Sequence, residues 1–274
     1  DNRELIAAGT RRIGPLRIPE LRYVLPITLA WAFAVAVMVA EKDLGSALLF
    51  FTLFTVMMWV ATERAIYLVL GLVIFSGAAY IAWRMFEVVQ TRVDIWLDPW
   101  SQYEGKGYQP AQAMFAFANG GTAGTGLGLG NPSKIPAAST DYVFAAIGEE
   151  MGLIGATAVI IAFLLLLGAG LRVAVRADRP FEKLLATGLT TIISMQAFII
   201  IGGVLRLVPL TGITLPFVSY GGSSLLANYI LLALLLRISD SGARRRGETP
   251  DELTISERME ARRLRRAERK AARA

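Results

Sequence analysis

The chain has 274 residues, 54% of them hydrophobic and 18% charged, with a formal net charge of +6 and neither histidine nor cysteine. Soluble chains are usually about 45–50% apolar and about 25% charged, so this composition is typical of a membrane protein. The missing side chains exclude disulfides, thiolate chemistry, histidine-based catalysis and Cys or His metal ligands. Acid–base chemistry must therefore use carboxylates, amines or tyrosine, and a bound metal would need oxygen ligands.

A basic arm at residues 1–23 precedes six long apolar runs. A segment of about 20 apolar residues crosses a bilayer core of about 30 Å, and each run is near that length. We therefore predict an all-α fold, a polytopic transmembrane helix bundle over residues 24–238, with a charged tail at 239–274. The predicted spans are Val24–Ala40, Leu44–Ala61, Ala65–Trp83, Tyr142–Leu171, Leu184–Leu205 and Leu215–Leu236.

The distribution of basic residues predicts the orientation of the bundle. Of the 28 lysines and arginines, 22 lie in the first 22 residues, at Arg64, between residues 172 and 183, or after residue 236. Cytoplasmic segments carry such an excess, so both termini of this chain are predicted to be cytoplasmic, as six spans require. The net charge then reflects the basic cytoplasmic segments of a bundle surrounded by membrane lipids, and no nucleic-acid partner is predicted. The tail is either solvated or attracted to anionic lipids.

The largest segment on the opposite side runs from residue 85 to residue 140. Loops of this length are usually functional or disordered. Pro110 near its start and Gly120 at its end favour a short helix at Tyr108–Ala118. The glycine run Gly124–Gly130 matches neither a Walker A motif nor a Rossmann spacing, so we predict close backbone packing there rather than nucleotide binding.

A second irregular segment, Pro209–Gly222, separates the last two spans. Its two prolines and its glycine pair interrupt helical structure close to the membrane surface. Such backbone is tolerated at that depth only where protein or a wet cavity satisfies its polar groups.

Asp141 is the first candidate for chemistry, because it lies where the long loop becomes the fourth span. One interpretation is a helix cap, since a carboxylate is favoured at a helix N-terminus. The other is a general base at the membrane–water interface, which the helix dipole would keep ionised.

Five further charged residues are candidates for substrate binding. Glu149 and Glu150 follow on the same predicted helix and are either functional carboxylates or interfacial ones. Asp43 opens the second span, where helix capping is the alternative. Lys134 and Arg206 lie on the side of the long loop, where a cation would be expected to hold a phosphate or pyrophosphate.

Six short motifs follow one another along the chain: Asp43–Ala47, Asp98–Trp100, Gly107–Gln109, Gly124–Gly130, Ser139–Ala145 with Gly148–Gly155, and Pro209–Ser224. In this order they resemble the SEDS family, which includes RodA, FtsW and SpoVE, and the last two motifs are similar to those of RodA-type actinobacterial members. The resemblance covers about residues 20–238 and implies the C-terminal part of a ten-span fold, with the first four spans missing.

The resemblance implies a bacterial peptidoglycan glycosyltransferase that polymerises lipid II at the outer face of the cytoplasmic membrane, beside a class B penicillin-binding protein. Such proteins act in cell elongation, cell division and cell shape. The family's essential loop aspartate corresponds to Asp141 and its upstream lysine to Lys134, while Asp43, Glu149 and Glu150 fall on motif positions. This chain alone is expected to be inactive.

Two other classes of function remain open. A broken-helix bundle also suits a lipid II flippase or transporter, although the charges gather at one surface rather than at mid-membrane. A non-catalytic scaffold for a penicillin-binding protein is the other alternative. No cofactor is indicated by ligand spacing, and a divalent cation, Mg²⁺ or Mn²⁺, stays open.

Overall fold

The computed structural model describes residues 43–247 continuously, with 11–13, 16–18 and scattered positions between 25 and 39. The short strands β1 (Arg11–Ile13) and β2 (Leu16–Ile18) form an antiparallel hairpin in the basic arm, where we predicted no element. About half of the first predicted span, Val24–Ala40, lies outside the described residues, as does the tail after residue 247.

Helices dominate the described part of the chain, and five of them are long and apolar enough to cross a membrane. This confirms the prediction of an all-α, polytopic bundle. In chain order the helices are α1 (Leu44–Thr62), α2 (Ile66–Met85), α3 (Glu87–Leu97), α4 (Tyr108–Gly120), α5 (Val143–Arg176), α6 (Pro180–Val204) and α7 (Gly222–Arg245). The shorter α3 and α4 lie in the long loop, and α4 begins at the residue predicted for its start.

The last helix differs from its prediction at both ends. α7 begins at Gly222 rather than at Leu215, because the intervening residues form a buried turn around Pro216. It ends at Arg245, several residues past the predicted end of the span. The irregular segment predicted from Pro209 therefore extends without helix almost to Gly222.

α6 is the central helix of the described bundle. In the membrane-spanning stretch of α6, 56% of the residues are buried. In that of α2, which lies at the periphery, only 6% are buried. Small residues allow close helix contacts, since a β-carbon on Gly170 of α5 would overlap Thr190 of α6. Close approach of this kind is how helices associate within lipid.

The long loop packs against one end of the bundle, which we call the loop end. Its helix α4 joins α5 and α6 in one apolar cluster that includes Ala113, Phe144 and Ile200. Leu215, from the segment before α7, is buried in the same cluster. This packing fixes the loop relative to the spans and thereby positions the polar site described next.

Candidate active site

Asp141 lines a cavity of about 300 Å³ at the loop end of the bundle. α3, the start of α4, the turn before α5 and the segment after α6 all contribute to the cavity wall. The polar and charged lining residues are Thr91, Arg92, Lys106, Gln109, Asp141, Tyr142 and Arg206. One carboxylate thus shares a confined space with three cationic side chains.

Asp141 is not a helix cap, although capping was the alternative interpretation. The cap position of α5 is Tyr142, and no side chain donates or accepts a capping hydrogen bond there. Instead, partial burial in the cavity raises the pKa of Asp141, because burial disfavours the charged carboxylate. The Thr140 hydroxyl and the positive charge of Arg92 act in the opposite direction and lower that pKa.

Arg92 is the cation whose charge acts on the Asp141 carboxylate. Its Nη1 donates a hydrogen bond of 3.0 Å to the Thr211 carbonyl. A β-carbon placed on Gly212 would lie 3.8 Å from Asp141 Oδ2 and 3.9 Å from Arg92 Nη2. Both side chains therefore approach the same glycine at ordinary van der Waals distance, and its positive φ of 79° disfavours other residues there.

Arg206, a predicted substrate-binding residue, lines the cavity, but part of its guanidinium stabilises the fold. Its Nη2 donates to the carbonyls of Trp96 at 2.6 Å and of Leu97 at 3.1 Å, at the end of α3. In return, Trp96 Nε1 donates to the Arg206 carbonyl at 2.8 Å. The Nε atom of Arg206 is buried and has no hydrogen-bond partner. Arg206 therefore joins α3 to the end of α6 and adds positive charge to the cavity wall.

The other four predicted residues do not line this cavity. Asp43 caps α1, since its carboxylate accepts the Ser46 N–H at 3.1 Å. Lys134 is exposed in a short 3₁₀ turn, Pro132–Lys134. Glu149 and Glu150 belong to α5 and contact the glycine-rich loop. The substrate contacts of these four residues stay predictions.

Glu149 is buried, with 3% of its surface exposed. Its Oε2 accepts the backbone N–H of Asn131 at 3.2 Å, and its Oε1 lies 3.5 Å from the Asn119 amide nitrogen. The carboxylate therefore joins both ends of the loop between α4 and the Pro132–Lys134 turn. In the structure the Glu149 carboxylate therefore contacts groups of this loop and does not line the cavity.

The glycine run packs against a break in α5. Gly152 has φ 65° and ψ −165°, which interrupts the helix and frees its backbone for other partners. Thr125 N–H donates to the Glu149 carbonyl at 2.9 Å, and Leu153 N–H donates to the Gly121 carbonyl at 2.9 Å. This is the close backbone packing that the sequence predicted.

Arg92 and Lys106 were not predicted as site residues, and Gln109 appeared only within the motif Gly107–Gln109. Arg92 and Lys106 are among the six basic residues outside the predicted cytoplasmic segments, which is the signal that could have indicated them. All three lie far from Asp141 along the chain, so the local pattern around that residue does not indicate them. Their approach depends on how α3 and α4 fold back over the bundle.

Among the described residues, the cavity lining holds one carboxylate, Asp141, beside three cations. A divalent cation prefers several oxygen ligands, so this lining by itself does not supply a complete donor set. Among the residues that the structure describes, no group of three acidic side chains is placed to hold a metal. The fold and the cavity define a multi-pass membrane protein with a predominantly cationic site at one end of its bundle.

Residues 5–244 match the family model described as "Cell cycle protein", for FtsW, RodA and SpoVE. The chain therefore belongs to the FtsW/RodA/SpoVE family, which confirms the resemblance. It is 50% identical over 239 residues to the peptidoglycan glycosyltransferase RodA of Mycobacterium tuberculosis, covering 87% of this chain and 50% of that protein. It is 37% identical over 217 residues to the probable peptidoglycan glycosyltransferase FtsW of Geobacter metallireducens, covering 78% and 58% respectively.

The chain spans about half the length of the mycobacterial RodA proteins that it matches. A solved chain described under the structural coordination of polymerization and crosslinking by a peptidoglycan synthase complex matches with a TM-score of 0.68 and 25% identity. That match covers 88% of this chain and 78% of the solved chain. A Thermus thermophilus rod shape determining protein RodA mutant shares the fold, with a TM-score of 0.54, 24% identity, and coverage of 86% and 61%.

Proposed function

We propose that the protein containing this chain is a peptidoglycan glycosyltransferase that polymerises lipid II at the outer face of the cytoplasmic membrane. Asp141 is the general base in this proposal. The observation that carries it is the cavity, which places one partly buried carboxylate among Arg92, Lys106 and Arg206. The relatives named as peptidoglycan glycosyltransferases support the same activity.

The proposed reaction joins two sugars with the loss of a lipid pyrophosphate. The 4-hydroxyl oxygen of one sugar bonds to the anomeric carbon of the lipid-linked strand. The bond from that carbon to the pyrophosphate oxygen breaks with its electron pair, and the hydroxyl proton passes to Asp141. The cationic side chains stabilise the negative charge that develops on the leaving group, as preorganised charges do in other active sites.

Acid–base catalysis by Asp141 requires the ionised carboxylate. Because burial raises the pKa of Asp141, the acidic limb of the rate–pH profile is expected above the range of an ordinary carboxyl group. The positive charge of Arg92 limits that rise in pKa, so Arg92 helps to keep the base ionised.

Arg92→Gln is expected to move the acidic limb of the polymerisation rate to higher pH. Removing the positive charge removes an influence that lowers the pKa of Asp141, so more of the carboxylate is protonated at a given pH. The measurement is the initial rate of lipid II polymerisation by the full-length protein across a pH series.

Lys106→Gln is the matched control, since Lys106 lines the same cavity but is not among the causes of the Asp141 pKa shift. We expect its acidic limb to stay in place while its rate falls across the pH series, because one of the charges that stabilise the leaving group is removed. If the acidic limb lies at the same pH in wild type and in Arg92→Gln, then Arg92 does not help to keep Asp141 ionised.

We further propose that the termini of this chain lie on the cytoplasmic side and that the loop end faces outward. The excess of basic residues at the opposite end of the spans supports this orientation. A class B penicillin-binding protein is the proposed partner, beside the surrounding membrane lipids. The match to a chain of a peptidoglycan synthase complex supports a partner of this kind.

The direct test is the purified full-length protein in liposomes with fluorescently labelled lipid II. We expect glycan polymer to accumulate, because the cavity offers a base and charge stabilisation for the leaving group. Movement of lipid II across the bilayer without polymer would show a flippase instead. If neither polymer nor movement of lipid II is detected, a scaffold for the partner protein is the remaining interpretation.

A further inference from the structure

The segment before α7 closes over the turn that carries Asp141. Ser219 is almost fully buried, with 2% of its surface exposed. Its hydroxyl donates a hydrogen bond of 2.6 Å to the Thr140 carbonyl, and the same oxygen accepts the Leu215 N–H at 2.8 Å. A serine hydroxyl has one donor and two acceptor sites, so the single hydroxyl proton of Ser219 is used in the bond to the Thr140 carbonyl.

A second bond joins the same two segments. The Tyr220 N–H donates to the Ser139 carbonyl at 2.7 Å. Two successive carbonyls, those of Ser139 and Thr140, are thus held by two successive residues of the segment before α7. We call these two bonds the carbonyl clamp.

The carbonyl clamp acts on the peptide group that leads into Asp141. Because a peptide unit is planar, fixing the Thr140 carbonyl also fixes the direction of the Asp141 N–H and the position of its Cα. The turn makes its own bonds as well, since the Thr140 and Tyr142 N–H groups both donate to the Ala137 carbonyl. Within the described residues, the clamp supplies the hydrogen bonds that join the turn to the segment between α6 and α7, beside the apolar packing of Leu215 and Tyr142.

We propose that Ser219 is a positioning residue for Asp141, one that holds the carboxylate at its working place in the cavity. This inference rests on the proposed role of Asp141 as general base. Ser219 itself does not line the cavity, so it acts through the Thr140–Asp141 peptide and not through the substrate. This role would connect the segment between α6 and α7 to an aspartate that lies at the end of the long loop.

Ser219→Ala in the full-length protein is the test. The substitution removes one oxygen and leaves the Thr140 carbonyl and the Leu215 N–H without this partner. Displacement of a reacting group by about 1 Å can cost about 100-fold in rate, so we expect kcat to fall about 10- to 100-fold. KM is expected to stay within about twofold of wild type, because substrate-binding side chains are untouched.

Two further variants separate positioning from folding. Ser219→Cys keeps a small side chain with a weaker donor and should give a kcat between those of Ser219→Ala and wild type. Ser223→Ala removes an exposed hydroxyl a few residues further on and should leave kcat and KM unchanged. Rates are normalised to folded protein measured by size-exclusion chromatography in detergent.

The outcomes distinguish this inference from the proposed function. Asp141→Asn runs in the same assay, and full activity in that variant would overturn the role of the base itself. If Asp141→Asn is inactive but Ser219→Ala keeps its kcat per folded molecule, the positioning role is overturned. A rise in KM with unchanged kcat, or a loss confined to the yield of folded protein, overturns it equally.

Discussion

Asp141→Asn in the full-length protein is expected to reduce lipid II polymerisation by about 100- to 10,000-fold, the usual contribution of a positioned general base. Asparagine keeps the size of the side chain but cannot accept the hydroxyl proton as a carboxylate does. Its neutral amide also avoids the burial penalty that raises the pKa of Asp141. Folding should therefore be retained while the reaction stops.

The measurement is the rate of glycan polymer formation from labelled lipid II, per folded molecule. Asp94→Asn is the matched control, because Asp94 is an exposed carboxylate of α3 on the same side of the bundle. It should retain the wild-type rate. Polymerisation at the wild-type rate by Asp141→Asn would place the base elsewhere.

Gly152→Ala is expected to destabilise the full-length protein by about 3 kcal/mol or more. The φ and ψ of Gly152, 65° and −165°, lie in a region that only glycine occupies readily, and such strain costs about 1–3 kcal/mol alone. A β-carbon would also overlap the backbone of Thr122 and Gly124. The docked glycine loop would have to leave the break in α5.

Thermal unfolding in detergent measures this effect, together with protease cleavage of the loop. Gly168→Ala is the control on the same helix, since a β-carbon there meets open space. It should unfold at or above the wild-type temperature, because alanine favours helix more than glycine does. An unchanged unfolding temperature and an uncleaved loop in Gly152→Ala would contradict the strained, close-packed break.

The sequence predicted the helices well because length and apolar content are strong signals in a bilayer. It placed α4 correctly from Pro110 and the glycines at its end. It placed α7 too early, because apolar residues such as Leu215 and Phe217 read as the start of a span. In the structure Leu215 is buried against other elements, and the chain turns before the helix begins.

The candidate site was predicted only in part. Asp141 was found from its motif and its place at a helix start, and Arg206 from its side of the membrane. Arg92 and Lys106 reach the cavity through tertiary folding of the long loop, which no local pattern encodes. Glu149 looked like a carboxylate at the edge of a span, and only the folded loop shows that its oxygens bind backbone and amide groups.

The docking of the glycine loop on α5 has a consequence for the order of assembly. Its bonds join residues close in sequence, such as Thr125 and Glu149, which are 24 positions apart. The bond from Ser219 to Thr140 spans 79 positions and needs the chain beyond α6. Shorter closures cost less conformational entropy, and a growing chain presents its N-terminal parts first. The loop can therefore settle on α5 during synthesis, whereas the aspartate turn reaches its final geometry only after the segment before α7 has been added.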